Sequence, residues 1–337
     1  MRTATAPTIA AMDSSSRPRR RRRARRPRRR ALFSLALAFL TVGCGTVAGT
    51  MYMTSWAHPR AEPVSSSASR AADGEETVES ATEAAVDRDA LLAAAMGSVG
   101  VADGAEVSVA VFDPDSGEAA SYGGGVFDTA SIVKVDILAA LLLRAQDAGR
   151  TLTAEEKTYA AAMIENSDND STSALWRAIG TADGLDAANE RFGLTRTAGG
   201  DGPLWGLTQT TATDQIALLR QVFGTADTEL GEASRAYVRE LMERIAAGQR
   251  WGVSAAADGA AWALKNGWLR RSTTGLWVIN SIGRVTAGGH DYLVAALSRG
   301  SATQEEGIAL TEAAARAAVS VFTGNAADDA AGAQSAS

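Results

Sequence analysis

The sequence predicts an α/β fold, in which a sheet with strands from both ends of the chain is flanked by helices and a mainly helical second lobe is inserted between them. Three observations predict it. An alternating stretch, "EVSVAVFD" (106–113), is followed by "EAASYGG" (118–124). A long block of helical patterns then runs to about residue 247, and three more strand-like stretches precede a last helix.

Each element has its own signature. A helical pattern covers 81–96. In "EVSVAVFD", Val107, Val109 and Val111 alternate with smaller residues as a strand requires, and "PDSG" is a turn, so the next stretch returns as a hairpin partner. With Asp128 or Thr129 as N-cap, "IVKVDILAALLLRAQDAG" (132–149) is apolar nearly all round, which marks a helix buried at the centre of a domain. Helical patterns continue through "AEEKTYAAAMIENS" (154–167), "STSALWRAIG" (171–180) and "TTATDQIALLRQVFG" (210–224). Strands return at "AWALKNGW" (261–268), "LWVINSIG" (276–283) and "YLVAALS" (292–298), the last two joined across "AGGHD", and a final helix covers 303–322. A cleft between the lobes is where a site is expected.

Charge divides the chain. Residues 1–60 carry thirteen Arg against one acid, Asp13, and the other 277 residues carry 20 Lys+Arg against 38 Asp+Glu. An acidic body argues against nucleic acid or an anionic membrane as partner of the folded part. The basic stretch "RPRRRRRARRPRRR" (17–30) precedes an uncharged apolar run (31–53), the pattern of a positive-inside targeting segment. Residues 1–57 are therefore expected to be an export signal or membrane anchor. "SWA" (55–57) resembles a cleavage site, "LTVGC" at Cys44 resembles a lipoprotein box and "RRRALF" (28–33) loosely resembles a twin-Arg signal. Residues 58–80 read as a flexible linker, 81–323 as the folded domain and 324–337 as a disordered tail. Cys44 is the only cysteine, so the body is expected to hold no disulfide and no thiol chemistry.

The chemistry lies in three places. Ser131 and Lys134 are spaced to share a helix face, so hydroxyl and amine can approach one another beside the positive end of the helix. The bland reading is a capping Ser and a snorkelling Lys. Lysine usage favours the first: Lys134, Lys157 and Lys265 are the only lysines beside 30 arginines. Arg keeps its proton at any useful pH, whereas a buried Lys can become a base. Lys157, in a polar helix start, reads as surface. The second place is "ENSDND", where Ser167 could pass a proton and Asn169 could donate to a substrate carbonyl, or where the residues only cap a helix. The third is "KNGW", where Lys265 sits in an apolar strand two residues before Gly267; a lysine blunting an edge strand is the alternative. The two histidines, His58 and His290, fall in the linker and a hairpin turn, so no imidazole is placed to activate a serine. No metal site can be assembled from such residues.

In this order, S-x-x-K, S-D-N and K-x-G resemble the signature of the active-site serine penicillin-recognising enzymes, the class A β-lactamases and penicillin-binding proteins. The resemblance covers about residues 81–323 and implies an antiparallel sheet flanked by helices. It implies Ser131 as acylated nucleophile, Lys134 as its base, Ser167 as proton relay and Asn169 as substrate amide ligand. Lys265 becomes the charge that holds the relay and the substrate carboxylate, with Asn266 and Gly267 in the substrate-binding strand. The N–H of Ser131 and one from the strand after Gly267 would form the oxyanion hole.

The chain departs from that family in two ways. Residues 191–214 contain no Glu to activate a deacylating water, and their only acids are Asp201 and Asp214, the latter resembling a helix cap. Asn266 replaces the usual Thr or Ser, a loss for which Arg270 or Arg271 could compensate. Glu165 could reach the cleft, though a helix-surface acid is the simpler reading, and Trp268 could wall it. The expectation is an exported, β-lactamase-like serine hydrolase acylated at Ser131 that opens and hydrolyses β-lactams. A DD-peptidase, penicillin-binding or esterase-type enzyme of the cell envelope is the alternative, and a non-catalytic binding protein on the same scaffold is the second. A small-molecule substrate, no cofactor, no metal, no nucleic acid, membrane contact only through the N-terminal segment, and a monomer outside the cytoplasm complete it.

Overall fold

The computed structural model describes residues 86–259 and 261–335. The expected export segment with Cys44, the linker with His58, and positions 81–85 of the first helix lie outside the described residues. Among those described, no helix is long and apolar enough to cross a membrane.

The described part begins with α1 (Arg88–Met96) and the hairpin β1 (Glu106–Phe112) and β2 (Ala119–Tyr122), then the short β3 (Phe127–Asp128). The helical lobe follows: α2 (Val133–Asp147), α3 (Ala154–Glu165), α4 (Asn169–Ile179), α5 (Thr181–Phe192), the short β4 (Gln209–Thr210), α6 (Ala212–Phe223) and α7 (Glu232–Glu243). β5 (Trp262–Arg270), β6 (Trp277–Ala287), β7 (His290–Ser301) and α8 (Gln304–Ser335) complete it. The backbone of α8 runs on as helix beyond Phe322, where the apolar periodicity ends.

The main sheet has the order β2-β1-β7-β6-β5, and every pairing is antiparallel. The antiparallel sheet flanked by helices is therefore as expected. Its alternation divides the core. On β7, Leu293, Ala295 and Leu297 join the cluster formed with the helical lobe, while Tyr292, Val294 and Ala296 join the one covered by α1 and α8. Two buried faces explain why this strand reads as an unbroken apolar run. Helix α2 supplies the centre of the first cluster, with twelve of its fifteen residues buried, Lys134 and Asp136 among them. Strand β5 lies at the sheet edge, next to the turn that carries Ser131.

Candidate active site

Ser131 does not lie on the α-helix proper. It stands in a 3-10 turn, Ala130–Ile132, that leads into α2, and neither Thr129 nor Ile132 makes a side-chain cap. The expected cap at Asp128 or Thr129 is thus replaced by a tighter turn. The Asp128 carboxylate is engaged elsewhere, paired with Arg271 at 2.7 Å and accepting from Gln209. Ala130, just before Ser131, has φ +49°, a left-handed conformation that costs a non-glycine residue about 1–3 kcal/mol. Ser131 is half-buried, and its hydroxyl makes no side-chain hydrogen bond among the described residues.

The amines lie one turn further in. Lys134 is fully buried and its Nζ donates to Ser167 O at 2.7 Å, Ser167 Oγ at 2.9 Å and Asn169 Oδ1 at 2.9 Å. Burial pulls its pKa down to about 7, with nearby Asp168 pulling the other way. Lys265, also fully buried, donates to the same Ser167 Oγ at 3.1 Å and to Asn266 O at 3.0 Å. Burial, followed by the neighbouring Lys134, holds its pKa well below the usual lysine value. The Ser167 hydroxyl therefore bridges two buried amines, and Ser167 itself sits at φ +57°. Its neighbour Asp168 is the helix cap, accepting from Ser171 N at 2.7 Å, which leaves Ser167 and Asn169 facing the amines. In S-D-N the capping reading thus holds for Asp168, while Ser167 and Asn169 stand beside the amines.

The remaining expected residues separate. Gly267 is where β5 meets the turn that carries Ser131: a Cβ there would stand 2.7 Å from Ser131 N, 2.8 Å from Thr129 O and 2.9 Å from Ile132 N. Asn266 turns away, donating both amide protons to Gln249 O (2.7 Å) and Trp251 O (2.9 Å). Arg271 is held by Asp128, and Arg270 donates to Gly275 O at 2.9 Å. Glu165 pairs with Arg244 at 2.7 Å. Asp214 is not the cap of α6; Thr211 is, and the buried Asp214 carboxylate accepts from Arg196 N at 2.8 Å and Thr197 Oγ1 at 2.7 Å. Asp201 is exposed. His290 is exposed at the β6–β7 turn and lies 3.2 Å from Asp115.

Three residues of consequence escaped the sequence reading. Trp205 places its ring over the Lys134 amine, 4.9 Å from Nζ to centroid, with its Nε1 donating to Ser173 at 3.2 Å. It comes from the segment without a Glu, and Trp268, the expected wall, instead packs edge-on against Trp251 at 6.0 Å. Asn280, fully buried on β6, donates to Asp128 O at 2.8 Å and Thr129 O at 2.9 Å. Asp136, 1% exposed on α2, lies with its carboxyl oxygens 2.9 and 3.1 Å from the end of the Asn189 amide. Burial raises its pKa to about 8, with the Asn189 contact opposing and Asp186 and Asp214 adding to the rise. The Asn189 amide nitrogen faces this carboxyl group and donates to its oxygens. A polar residue inside an apolar element was the available signal for Asp136 on its helix and for Asn280 in "LWVINSIG"; for Trp205 there was none.

A family model described as the beta-lactamase enzyme family matches residues 143–322, a span that includes Ser167, Asn169 and Lys265 and begins past Ser131 and Lys134. A protein of Mycobacterium tuberculosis (strain ATCC 25618 / H37Rv) named "Putative lipoprotein LppW" is 28% identical over 173 residues, 49% of this chain and 55% of that protein. The chain thus spans about half the length of the curated relatives it matches. Among solved structures, PBP-A superposes with a TM-score of 0.59 at 21% identity, covering 69% of this chain and 96% of that one. The TLA-1 extended-spectrum β-lactamase superposes at 0.60 and 14% identity, covering 70% and 98%.

Proposed function

Since the chain belongs to the beta-lactamase enzyme family, we propose that it is a serine hydrolase that forms an acyl-enzyme at Ser131 with a β-lactam or a related peptide-like acyl compound. The observation that carries this reading is the Ser167 hydroxyl bridging the Lys134 and Lys265 amines at 2.9 and 3.1 Å. An ordinary structural serine does not gather two buried lysines without a carboxylate between them.

The chemistry follows from the proton inventory. As the ammonium, Lys134 fills three acceptors. After losing one proton it keeps two N–H bonds for Ser167 O and Asn169 Oδ1 and gains a lone pair for a hydroxyl proton. Ser131 Oγ attacks the substrate carbonyl carbon while its proton passes to Lys134 Nζ. The Ser131 N–H and that of Trp268, which follows Gly267, stabilise the oxyanion. When the C–N bond breaks, the Ser167 hydroxyl gives its proton to the leaving nitrogen and is reprotonated by Lys134. Lys265 orients Ser167 and receives the substrate carboxylate, and the Asn169 amide nitrogen donates to the substrate's amide carbonyl.

The fate of the acyl group separates a β-lactamase from a penicillin-binding or DD-peptidase-type enzyme. Trp205, rather than a carboxylate, stands against Lys134, and the acids of 191–214 are an exposed Asp201 and a buried Asp214 already accepting two hydrogen bonds. This favours a long-lived acyl-enzyme, the state in which a mutant of PBP-A was solved, as an acyl-enzyme complex with penicillin G. The Arg-rich leader, Cys44 and a relative named as a lipoprotein support a place outside the cytoplasm. A monomer binding a small molecule is the simplest assembly.

The test is incubation with benzylpenicillin, followed by intact mass, alongside hydrolysis of a chromogenic cephalosporin. A persistent adduct absent from Ser131→Ala is expected. Rapid turnover without accumulation would identify a β-lactamase, and neither adduct nor turnover in the wild type would overturn acylation by β-lactams.

A further inference from the structure

We propose that Asn280 is a positioning residue for the nucleophile: with Gly267 opposite it, Asn280 clamps the Asp128–Ser131 turn in the conformation that sets the direction of the Ser131 N–H and hydroxyl. The inference rests on reading Ser131 as the nucleophile.

The turn needs a clamp. Thr129 is helical (φ −67°, ψ −30°), so the carbonyls of Asp128 and Thr129 point the same way, and Ala130 then reverses the chain with φ +49°. A non-glycine residue leaves that region unless its surroundings hold it there. Several contacts hold the chain up to Thr129. Phe127 and Asp128 pair with Thr210 and Gln209, Thr129 N donates to Thr208 O at 2.8 Å, and Arg271 holds the Asp128 carboxylate. None of these reaches past residue 129.

Asn280 acts at the strained peptide itself. It donates one proton to Asp128 O at 2.8 Å and one to Thr129 O at 2.9 Å, while its Oδ1 accepts from Ser298 N at 3.2 Å. The amide is thus fully used, anchored to β7 on one side and to the turn on the other. The strand register puts Gly267 directly across from Asn280. Gly267 has no side chain, so the turn can lie against β5 with Ser131 N where a Cβ would be 2.7 Å away. One residue grips the two carbonyls and its partner leaves room for the next amide. Removing the grip takes the side-chain donor from Asp128 O and leaves Thr129 O only the 3.3 Å bond from Ile132 N, next to a Thr129 hydroxyl that has no partner among the described residues.

The test uses the whole protein and benzylpenicillin, with the limiting acylation rate and half-saturating concentration read from intact-mass time courses. Asn280→Ala is expected to lower the limiting rate on the order of 100-fold, the scale of a roughly 1 Å misplacement, and to move half-saturation less than about 3-fold. Adding Ala130→Gly to Asn280→Ala is expected to recover about tenfold, because glycine adopts the left-handed turn without cost. Asn280→Ser, which keeps one donor, should fall between, and it decides the matter if Asn280→Ala does not fold. A wild-type limiting rate in either single variant would overturn the clamp. So would a loss confined to half-saturation, or one that follows only the unfolded fraction seen by circular dichroism. If the wild type forms no adduct, the functional reading fails instead; the clamp is then judged by the crystal structure of the folded variant. Ala130 relaxing to negative φ supports it, and Ala130 unchanged overturns it.

Discussion

Lys134 and Lys265 share one hydroxyl yet meet different needs. Burial brings Lys134 to about 7, so a substantial fraction is neutral at physiological pH. Acylation is expected to rise with pH through a midpoint near 7, the direction set by loss of the Lys134 proton. Lys134→Arg, unable to lose its proton, should slow it by about 10²–10⁴-fold. Stopped-flow acylation rates between about pH 5.5 and 9 check both. Lys265 is buried with no carboxylate partner among the described residues, and its pKa is held well down. A substrate carboxylate would supply the missing opposite charge and raise that pKa, so binding an anionic β-lactam should take up protons. Calorimetry of Ser131→Ala in buffers of different ionisation enthalpy measures it; equal heats after buffer correction, with no proton taken up, would count against this role of Lys265.

At the scale of elements, the site is a meeting of three backbones. The 3-10 turn before α2 brings Ser131, the cap of α4 brings Ser167 and Asn169, and the edge strand β5 brings Lys265 and Gly267. The joint between β5 and the turn has no spare room. Gly267→Ala puts a methyl within 3 Å of three backbone atoms, so strand and turn must separate. Acylation is expected to fall at least about tenfold with secondary structure retained, measured by adduct formation and circular dichroism. The 3-10 segment Trp205–Leu207 closes the other side. Trp205→Ala would admit water to Lys134 and relieve part of the desolvation that lowers its pKa, so the acylation midpoint should move upward. An unmoved midpoint would show that the indole does not keep the amine dry.

Across the whole molecule, buried titratable groups make stability depend on pH in opposing directions. Asp136, raised from the ordinary 3.8 to about 8, binds more protons folded than unfolded between those values. Its contribution is fully present below about 4 and is lost as pH rises toward 8. Lys134, lowered from 10.5 to about 7, has its contribution above 10.5 and loses it as pH falls through 7. Asp136→Asn should therefore flatten the decline between about pH 4 and 8 and raise Tm relative to wild type most at the upper end of that window, provided Asn189 turns to satisfy the new amide. Thermal unfolding across pH reads the effect directly.

The sequence by itself carried the order of elements, because alternation in "EVSVAVFD" and an all-round apolar helix at 132–149 are local consequences of what each element must bury. It also exposed the two unusual lysines, since scarcity of Lys among many Arg is a property of composition. What it could not carry were relations between residues far apart in the chain. That Lys134 and Lys265 meet on one hydroxyl, that Asn266 faces away while Asn280 grips the turn, and that Trp205 covers the amine depend on which strand pairs with which and on turns at Ala130 and Ser167 that no local pattern announces. Tertiary packing decided these, because only burial among many neighbours can hold a strained backbone and an unpaired amine in place.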